Sequence, residues 1–580
     1  MTPAEETAYD EVIKAFIASS GHAIVTGGAG SGKTTAALRR AARWAQTTEG
    51  FDHSSALFLS FANATTQRVL DHSAAWVPLE LRHKLSVSTY HGFAWSILKS
   101  HAYLLGAPRA LRLMSPGEQY AFNSSLPGDA DVNTANRELF LTDGLVAFDY
   151  FADWSAEVLE NFPLIRRAYV DAYPIIMLDE FQDTVDPQWR LLQNFVDDCA
   201  LIALGDPNQR MYDWLPGANE HRFDEFMKAV SPAVFDLSAW NWRSPEGSIA
   251  QFGQDVLAGM DLIGENKLDE YDAVDIVGMG YPPLPQLKWL ILAALKRQRG
   301  SNGTIAVLTP TNQLSQQVWD YMTAAQSAAL PALRMELVSD QEDAFAAAVF
   351  LAAVLEQPDA GQMSLAAVCR AMATYLQTRS ERLSQAAAKV VQTLLQSADT
   401  LEAGVVRAER VAVRRLRLLL EASLSRARSG HPFADFLTTA SIARDSEDKE
   451  IARAGRSSRT VSVVSRGSDV EVELGRAWRN HGRYVACASI VRDAIVVHQM
   501  TAAKMPVSNL VVMNVHRSKG KEFDEVIVYE EKYTRFAREN ASIEVGRRAL
   551  HVAVTRARAQ ATFATPQRDP SVLLSGAPGN

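Results

Sequence analysis

Two clusters of residues in this chain have types and spacings that could do chemistry. The first is Gly27-Gly28-Ala29-Gly30-Ser31-Gly32-Lys33-Thr34, which fits the phosphate-binding pattern G-x-x-x-x-G-K-[ST]. Glycines let successive backbone N–H groups curl around a polyphosphate, where a Cβ would obstruct the approach. Lys33 then reaches the β- and γ-phosphates and Thr34 offers a hydroxyl to Mg2+. Thr35 completes the nucleotide-binding candidates of this segment. The second cluster is Asp179-Glu180, two carboxylates closing the apolar run Ile175-Ile-Met-Leu178. Alone it reads as a strand terminus with two solvated acids. Combined with the phosphate loop, Asp179 is a Mg2+ ligand, directly or through water. Glu180 is then the general base that orients and deprotonates the attacking water.

These residues need elements that hold them. The strand-like Ala23-Ile-Val-Thr26 precedes the loop, and a helix is expected from Thr34 to about Trp44, its positive dipole end facing the phosphates. Further apolar runs at Ala56–Phe61, Ile175–Leu178, Leu201–Leu204, Val234–Leu237, Thr304–Thr309, Leu510–Asn514 and Val526–Tyr529 read as strands buried on both faces. Helical stretches alternate with them, at Pro187 to about Phe195 and Asn312 to about Ala325, which predicts an α/β fold with parallel sheets. Two regions break this rhythm. Strand signals vanish between about Ser100 and Ala172, where turn-rich sequence precedes an aromatic helical run from Phe148 to Phe162. From about Ala344 to Ala488 the chain reads as helical, with a loop around Ser446–Arg459. Both read as insertions.

A chain of 580 residues suggests two to four domains. Its net charge of −9 does not advertise nucleic-acid binding, so any such contact needs a local basic surface. Cys199, Cys369 and Cys487 lie far apart without C-x-x-C spacing, which argues against structural zinc and against a disulfide framework. The N-terminus lacks a basic region and an apolar run, and no stretch reaches the ~20 apolar residues of a membrane span. A cytoplasmic protein without membrane contact is expected.

The acids continue as Asp179-Glu-Phe-Gln-Asp-Thr184, a string that resembles motif II of superfamily-1 DNA helicases of the UvrD/Rep/PcrA type. Other motifs of that family follow in order. Ser60-Phe-Ala-Asn-Ala is similar to motif Ia, Ser88-Thr-Tyr-His-Gly-Phe-Ala to Ib, and Leu204 to Trp214 (LGDPNQRMYDW) to motif III. Asn241-Trp-Arg-Ser resembles motif IV, Asn514 to Phe523 (NVHRSKGKEF) motif V, and Arg547 to Ala557 (RRALHVAVTRA) motif VI. The resemblance spans nearly the whole chain. It implies two RecA-like parallel-sheet motor domains of the P-loop NTPase class, each with a largely helical insertion, and ATP bound between them. The implied boundaries are 1–99 and 173–240 for the first motor and 241–343 and 489–580 for the second, with insertions at 100–172 and 344–488.

The same resemblance implies residue roles. Gln209 senses the γ-phosphate. Arg243 and Arg556 act as arginine fingers, for which a fixed guanidinium fork suits spreading transition-state charge. Glu522 contacts the ribose and Trp242 stacks on the base, standing where the family usually carries Tyr. Glu6 stands where the family reads adenine with Gln, and an ionised carboxylate cannot donate to the base. Arg517 and Lys521 in motif V replace small and apolar residues, as phosphate contacts or as surface charge. The strand path implied by the motifs runs past Phe61, Asn63, Tyr90, His91, Tyr212, Trp214 and His516, aromatic platforms with nearby polar groups for stacked bases. Arg407, Arg410, Arg414 and Arg417, with Arg415, Arg426 and Arg428, offer a basic stripe toward duplex DNA, a solvated face or a protein interface. The expected activity is ATP- and Mg2+-dependent 3′→5′ helicase or translocase action on single-stranded DNA and single-/double-strand junctions. The alternative is a regulatory ATPase stimulated by nucleic acid, working with a partner such as a nuclease or in a phage-defence complex.

Overall fold

The structure is a computed structural model. It describes the chain apart from residues 1–2, 48–52, 62–65, 67–68, 71–72, 74, 115–117, 120–121, 124–125, 211–215, 245–246, 263–270, 299–302, 328, 339–341, 379–384, 406–408, 459–467, 502–507, 538–542 and 576–580. The chain forms two compact units. One comprises Met1–Trp95, Ala152–Ser339 and Ala503–Asn580; the other comprises Ser96–Phe151 and Asp340–Ala502.

The first unit is α/β and carries two six-stranded sheets. The first runs in the order Leu85–Thr89, Ala56–Ser60, Ile175–Leu178, Ala200–Gly205, Ala23–Thr26, Ala233–Asp236, with every pairing parallel. The second, also all parallel, runs Glu336–Val338, Leu510–Asn514, Ile305–Thr309, Phe523–Tyr529, Ala557–Pro566, Val274–Met279. Central strands such as Ala56–Ser60, Ile175–Leu178 and Ile305–Thr309 are buried along their whole length, which explains their unbroken apolar sequence. Strand periodicity divides the second core into two layers. Ala306 and Leu308 pack with Phe252, Leu550 and Phe563, while Ile305 and Val307 pack with Leu287, Ile291 and Val318 on the opposite face. In the first sheet, Phe58, Met177 and Ile202 pack with Ala37, Leu38 and Ala41 of helix Lys33–Thr47.

The expected strands are present, with ends shifted by a few residues. Four others went unread: Leu85–Thr89, Val274–Met279, Glu336–Val338 and Ala557–Pro566. Val274–Met279 and Glu336–Val338 are sheet edges, only partly buried, so their sequences need not be continuously apolar. Ala557–Pro566 starts with the buried Ala557, exposes Arg558 and Ala559, and is continuously buried only over 561–565, so the apolar signal covers half its length.

The second unit is mainly helical. Its core joins Phe350, Leu351 and Val354 of Glu342–Leu355 to Leu365, Val368 and Tyr375 of Gln362–Thr378, to Leu416 and Leu420 of Val411–Leu424, and to Val491 and Ile495 of Cys487–Thr501. Two local expectations are corrected. Arg112–Leu113 pairs with Leu145–Val146 as a short parallel ladder within the region read as strand-free. The stretch read as a loop around Ser446–Arg459 contains helix Lys449–Ser457. Asp448 caps that helix by accepting from the N–H groups of Glu450 at 2.9 Å and Ile451 at 3.2 Å. Several stripe arginines bond within this unit: Arg415 with Asp448, Arg417 with Glu409, and Arg428 with Ser423. Arg414 and Arg426 are exposed, and Arg407 lies outside the described residues. All three cysteines are buried, and burial pushes the Cys199 and Cys369 thiols up to about 12. Among the described residues no helix is long and apolar enough to cross a membrane.

Candidate active site

The glycine-rich loop leaves strand Ala23–Thr26, which lies between Ala200–Gly205 and Ala233–Asp236, with Thr26 opposite both Gly205 and Asp236. The carboxyl ends of neighbouring parallel strands therefore converge. The loop, Asp206 and Asp179-Glu180 follow three strands that are adjacent in the sheet, where open α/β sheets present their ligand sites. Two glycines are required by geometry. Gly30 has φ +79, and a Cβ there would lie 2.5 Å from the Arg243 Cβ and 2.6 Å from Asn241 Oδ1. Gly32 has φ +92, and a Cβ there would collide with the Tyr9 hydroxyl.

Helix Lys33–Thr47 begins immediately after the loop, so its first N–H groups have no partners inside the helix. That turn and the preceding curl form a cradle for an anion. Gly27 and Ser31 are buried, and Gly28, Ala29, Thr34 and Thr35 are half-buried around it. Lys33 Nζ donates to Gly28 O at 2.9 Å and to Gly27 O, so the ammonium is folded back on the loop carbonyls. Burial pushes the Lys33 pKa down, against the opposing pull of Asp206, Glu180 and Asp179.

Asp179 is buried and accepts a 3.4 Å hydrogen bond from Ser60 Oγ. Burial, then the neighbouring Glu180 charge, push its carboxyl up to about 7, with Lys33 opposing. This carboxylate and the Thr34 hydroxyl supply hard oxygen donors of the kind Mg2+ takes, and a cation would relieve the cost of keeping Asp179 ionised there. Glu180 has left-handed backbone torsions, φ 53 and ψ 39, which non-glycine residues use sparingly. Its carboxylate accepts from Gln182 Nε2 at 2.7 Å and lies 3.5 Å from Lys519 Nζ. Burial works to raise the Glu180 pKa, but Lys519, Lys33, Arg556 and the Gln182 bond together hold it below its usual value. Glu180 is thus a carboxylate at neutral pH.

Residues of the second sheet close onto this edge. Arg556 is buried and donates from Nη2 to Gln209 Oε1 at 3.1 Å; Gln209 Nε2 donates in turn to Asp206 Oδ2 at 2.9 Å. Lys519 is buried in the turn after strand Leu510–Asn514 and pairs with Asp183, with a 3.1 Å bond to Gln209 O. Arg243 donates from Nη1 to Thr555 O at 2.8 Å and from Nη2 to Glu522 Oε1 at 2.6 Å. Glu522 is shared with Arg558 at 3.0 Å. Arg243 therefore approaches the loop with its Cβ, beside Gly30, and turns its guanidinium to Glu522. A cavity of 270 Å3 opens here, lined by Gly28, Ala29, Asn241, Arg243, His551 and Thr555 among others.

The structure thus gathers Lys33, Asp179, Glu180, Gln209 and Arg556 with the loop, and holds Arg243 and Glu522 as a pair beside it. Trp242 is exposed next to the loop and its amide donates to Gly30 O at 2.8 Å. Of the strand-path candidates, Tyr90 is buried with its hydroxyl 3.3 Å from Asp179 O, and the Phe61 ring lies 6.0 Å from it. His91 and His516 are half-buried, and burial followed by Lys519 lowers the His516 pKa. Asn63, Tyr212 and Trp214 lie outside the described residues. Lys521 donates to Arg517 O at 2.6 Å, and burial pushes its pKa down to about 8. Sequence reasoning passed over Lys519, Asp206 and Tyr9. The available signal for Lys519 was its place between Ser518 and Gly520, small residues that fit a buried turn.

Comparison with known proteins gives matching assignments for both sheets. Residues 11–214 match a family described as an AAA domain, and residues 509–564 match the UvrD-like helicase C-terminal domain. The chain is 23% identical over 304 residues to DNA helicase II of Haemophilus influenzae, covering 45% of this chain and 41% of that protein. It is 21% identical to ATP-dependent DNA helicase PcrA of Leuconostoc citreum, over 39% of this chain and 36% of the relative. A 135-residue segment is 31% identical to an ATP-dependent helicase/nuclease subunit from Lactococcus lactis, covering 22% of this chain and 11% of that protein. The matches thus span less than half the length of each of these relatives.

Proposed function

We propose that the chain is a superfamily-1 helicase of the UvrD/Rep/PcrA type, a reading its likeness to that family supports, and that it hydrolyses ATP to drive 3′→5′ movement along single-stranded DNA in the cytoplasm. The observation that carries this reading is the bond between Arg556 and Gln209, which joins the second sheet to the phosphate edge of the first. The first motor is assigned residues 1–99 and 173–240, the second 241–343 and 489–580, and the insertions 100–172 and 344–488.

The residues assign themselves to steps. Loop N–H groups and Lys33 bind the triphosphate, for which Lys33 exchanges its two carbonyl partners for phosphate oxygens. Asp179 and Thr34 would hold Mg2+, which would supply charge neutralisation for the triphosphate. Glu180, already ionised, takes the proton of the attacking water. Arg556 and Gln209 face the γ-phosphate, where a fixed guanidinium stabilises the spreading negative charge. Arg243 joins them when Glu522 is drawn off by the ribose hydroxyls, so nucleotide binding itself would release the second finger. Closure and reopening between the sheets then alternate the grip on the strand, with Phe61, Tyr212 and Trp214 as stacking residues.

A direct test follows the isolated chain on 3′-tailed and 5′-tailed duplexes with ATP and Mg2+. Displacement from the 3′-tailed substrate alone is expected, and it should be lost in Lys33→Ala. Displacement from the 5′-tailed substrate alone would contradict the direction, and equal activity of Lys33→Ala would contradict the assignment of the loop.

A further inference from the structure

We propose that Tyr9 sets the nucleobase preference of this site, and that Tyr9 and Trp242 together make a base pocket that accepts guanine about as readily as adenine. The proposal rests on the nucleotide-binding reading above and names its substrate class more closely. The phosphates are anchored at the loop and at the first turn of helix Lys33–Thr47, so the base must lie within one nucleoside length of Gly32. Two aromatic rings meet there. Trp242 is tied to the loop by its own amide, which donates to Gly30 O at 2.8 Å, yet its side chain is 43% exposed. A large ring that is fixed to a phosphate cradle but left open to solvent is a stacking surface, and stacking accepts any base because every base has a π-face.

Tyr9, only 9% exposed, closes the inner edge of that surface. Its ring lies 5.0 Å from Trp242 and 5.4 Å from Trp240, edge-on to both. Its hydroxyl packs directly against Gly32. The Trp242 side chain hydrogen-bonds the phenol, and burial keeps that phenol protonated across the physiological range. Glu6 stands one turn earlier on the same helix, Pro3–Ala18, and is exposed, so the residue of this helix that reaches the loop is a tyrosine.

The chemistry of that hydroxyl decides the preference. A side-chain amide presents a donor and an acceptor in a fixed fork and can bond N6 and N7 of adenine together; such a pair discriminates by about 1–3 kcal/mol. A phenol is a single oxygen whose proton rotates to suit its partner. It accepts from the 6-amino group of adenine or donates to the 6-oxo group of guanine. The pocket therefore holds a purine by its face and tolerates either edge.

The test measures binding and turnover separately on the full chain. ADP and GDP compete for the site against a fluorescent ADP analogue, and hydrolysis of ATP and GTP is followed with saturating single-stranded DNA and Mg2+. Dissociation constants for ADP and GDP within about five-fold of each other are expected, with a similar ratio of kcat/KM for the triphosphates. Tyr9→Gln should move the ratio toward adenine by about ten-fold, mainly through weaker binding of GDP. A wild-type preference for ADP over GDP above about fifty-fold overturns the proposal while leaving hydrolysis intact. Equal binding of both diphosphates without any hydrolysis would uphold the base pocket and overturn the motor reading instead. If Tyr9→Gln fails to fold, the wild-type ratio alone still decides.

Discussion

The two carboxyl groups proposed to act in hydrolysis are shifted in opposite directions by their surroundings. Glu180 is held as a carboxylate by Lys519, Lys33 and Arg556 despite its burial, which suits a base that must accept a proton at neutral pH. Glu180→Gln should therefore bind ATP with unchanged affinity and lose turnover by about 10²–10⁴-fold, read as phosphate release in a single-turnover experiment. Asp179 is the opposite case, with its carboxyl pushed up to about 7 by burial and by Glu180. A carboxyl whose folded pKa exceeds its unfolded value stabilises the fold below the unfolded pKa, and that contribution is lost as pH rises through the folded pKa. Metal-free protein should accordingly melt at higher temperature at pH 5.5 than at pH 7.5. Asp179→Asn should flatten that slope, and so should added Mg2+. A slope identical in wild type and variant, measured by calorimetry without metal, would remove Asp179 as its source.

At the level of elements, the site is assembled where strand ends meet. The parallel order of the first sheet puts the ends of Ala23–Thr26, Ala200–Gly205 and Ile175–Leu178 side by side. The second sheet reaches them through turns that precede strands, with Glu522 just before Phe523–Tyr529 and Arg556 just before Ala557–Pro566. The Lys519–Asp183 pair ties the two sheets together from positions 336 residues apart. Removing one member of a buried pair leaves the other charge without its counterpart, typically at a cost of about 3–5 kcal/mol. Lys519→Met and Asp183→Asn should each destabilise the protein by about that amount, and the double variant by clearly less than the sum. Additive losses in denaturant unfolding would show that the pair is not coupled. The same pair marks the limit of what sequence reveals. Lys33, Asp179 and Glu180 were legible because their chemistry is encoded in contiguous residues after apolar strands. Lys519 was signalled only by the small residues Ser518 and Gly520 beside it, because its role depends on a partner that only the fold brings near. Helix Lys449–Ser457 was hidden for a related reason. Its sequence KEIARAGRS carries four charged residues besides a glycine and a serine, and it buries only Ile451, Ala452, Ala454 and Gly455 on a narrow face. Ala557–Pro566 was missed because Arg558 and Gln560 interrupt the apolar residues of its first half, whereas the fully apolar Ile175–Leu178 could hardly be read otherwise.

For the molecule as a whole, the acidic balance of −9 argues against a broadly basic surface as the source of any hold on DNA. Many arginines of the helical unit are already bonded to its own acids, as Arg370 is to Asp399 and Glu402. Affinity for single-stranded DNA should then depend on nucleotide state more than on total charge. ADP and a non-hydrolysable ATP analogue are expected to give dissociation constants differing by at least about five-fold in fluorescence anisotropy, and identical values would disconnect the nucleotide site from the strand. Hydrolysis shared between the two sheets depends most directly on Arg556, whose guanidinium bonds Gln209 beside the phosphate edge of the first sheet. The decisive measurement is the steady-state ATPase rate of wild type and Arg556→Lys with and without single-stranded DNA, at ATP concentrations well above KM. Wild type should be stimulated at least about ten-fold by DNA. Arg556→Lys, which keeps the charge but loses the planar fork, should lose at least about fifty-fold in the stimulated rate while binding ATP normally. A stimulated rate in Arg556→Lys equal to that of wild type would contradict hydrolysis shared between the two sheets.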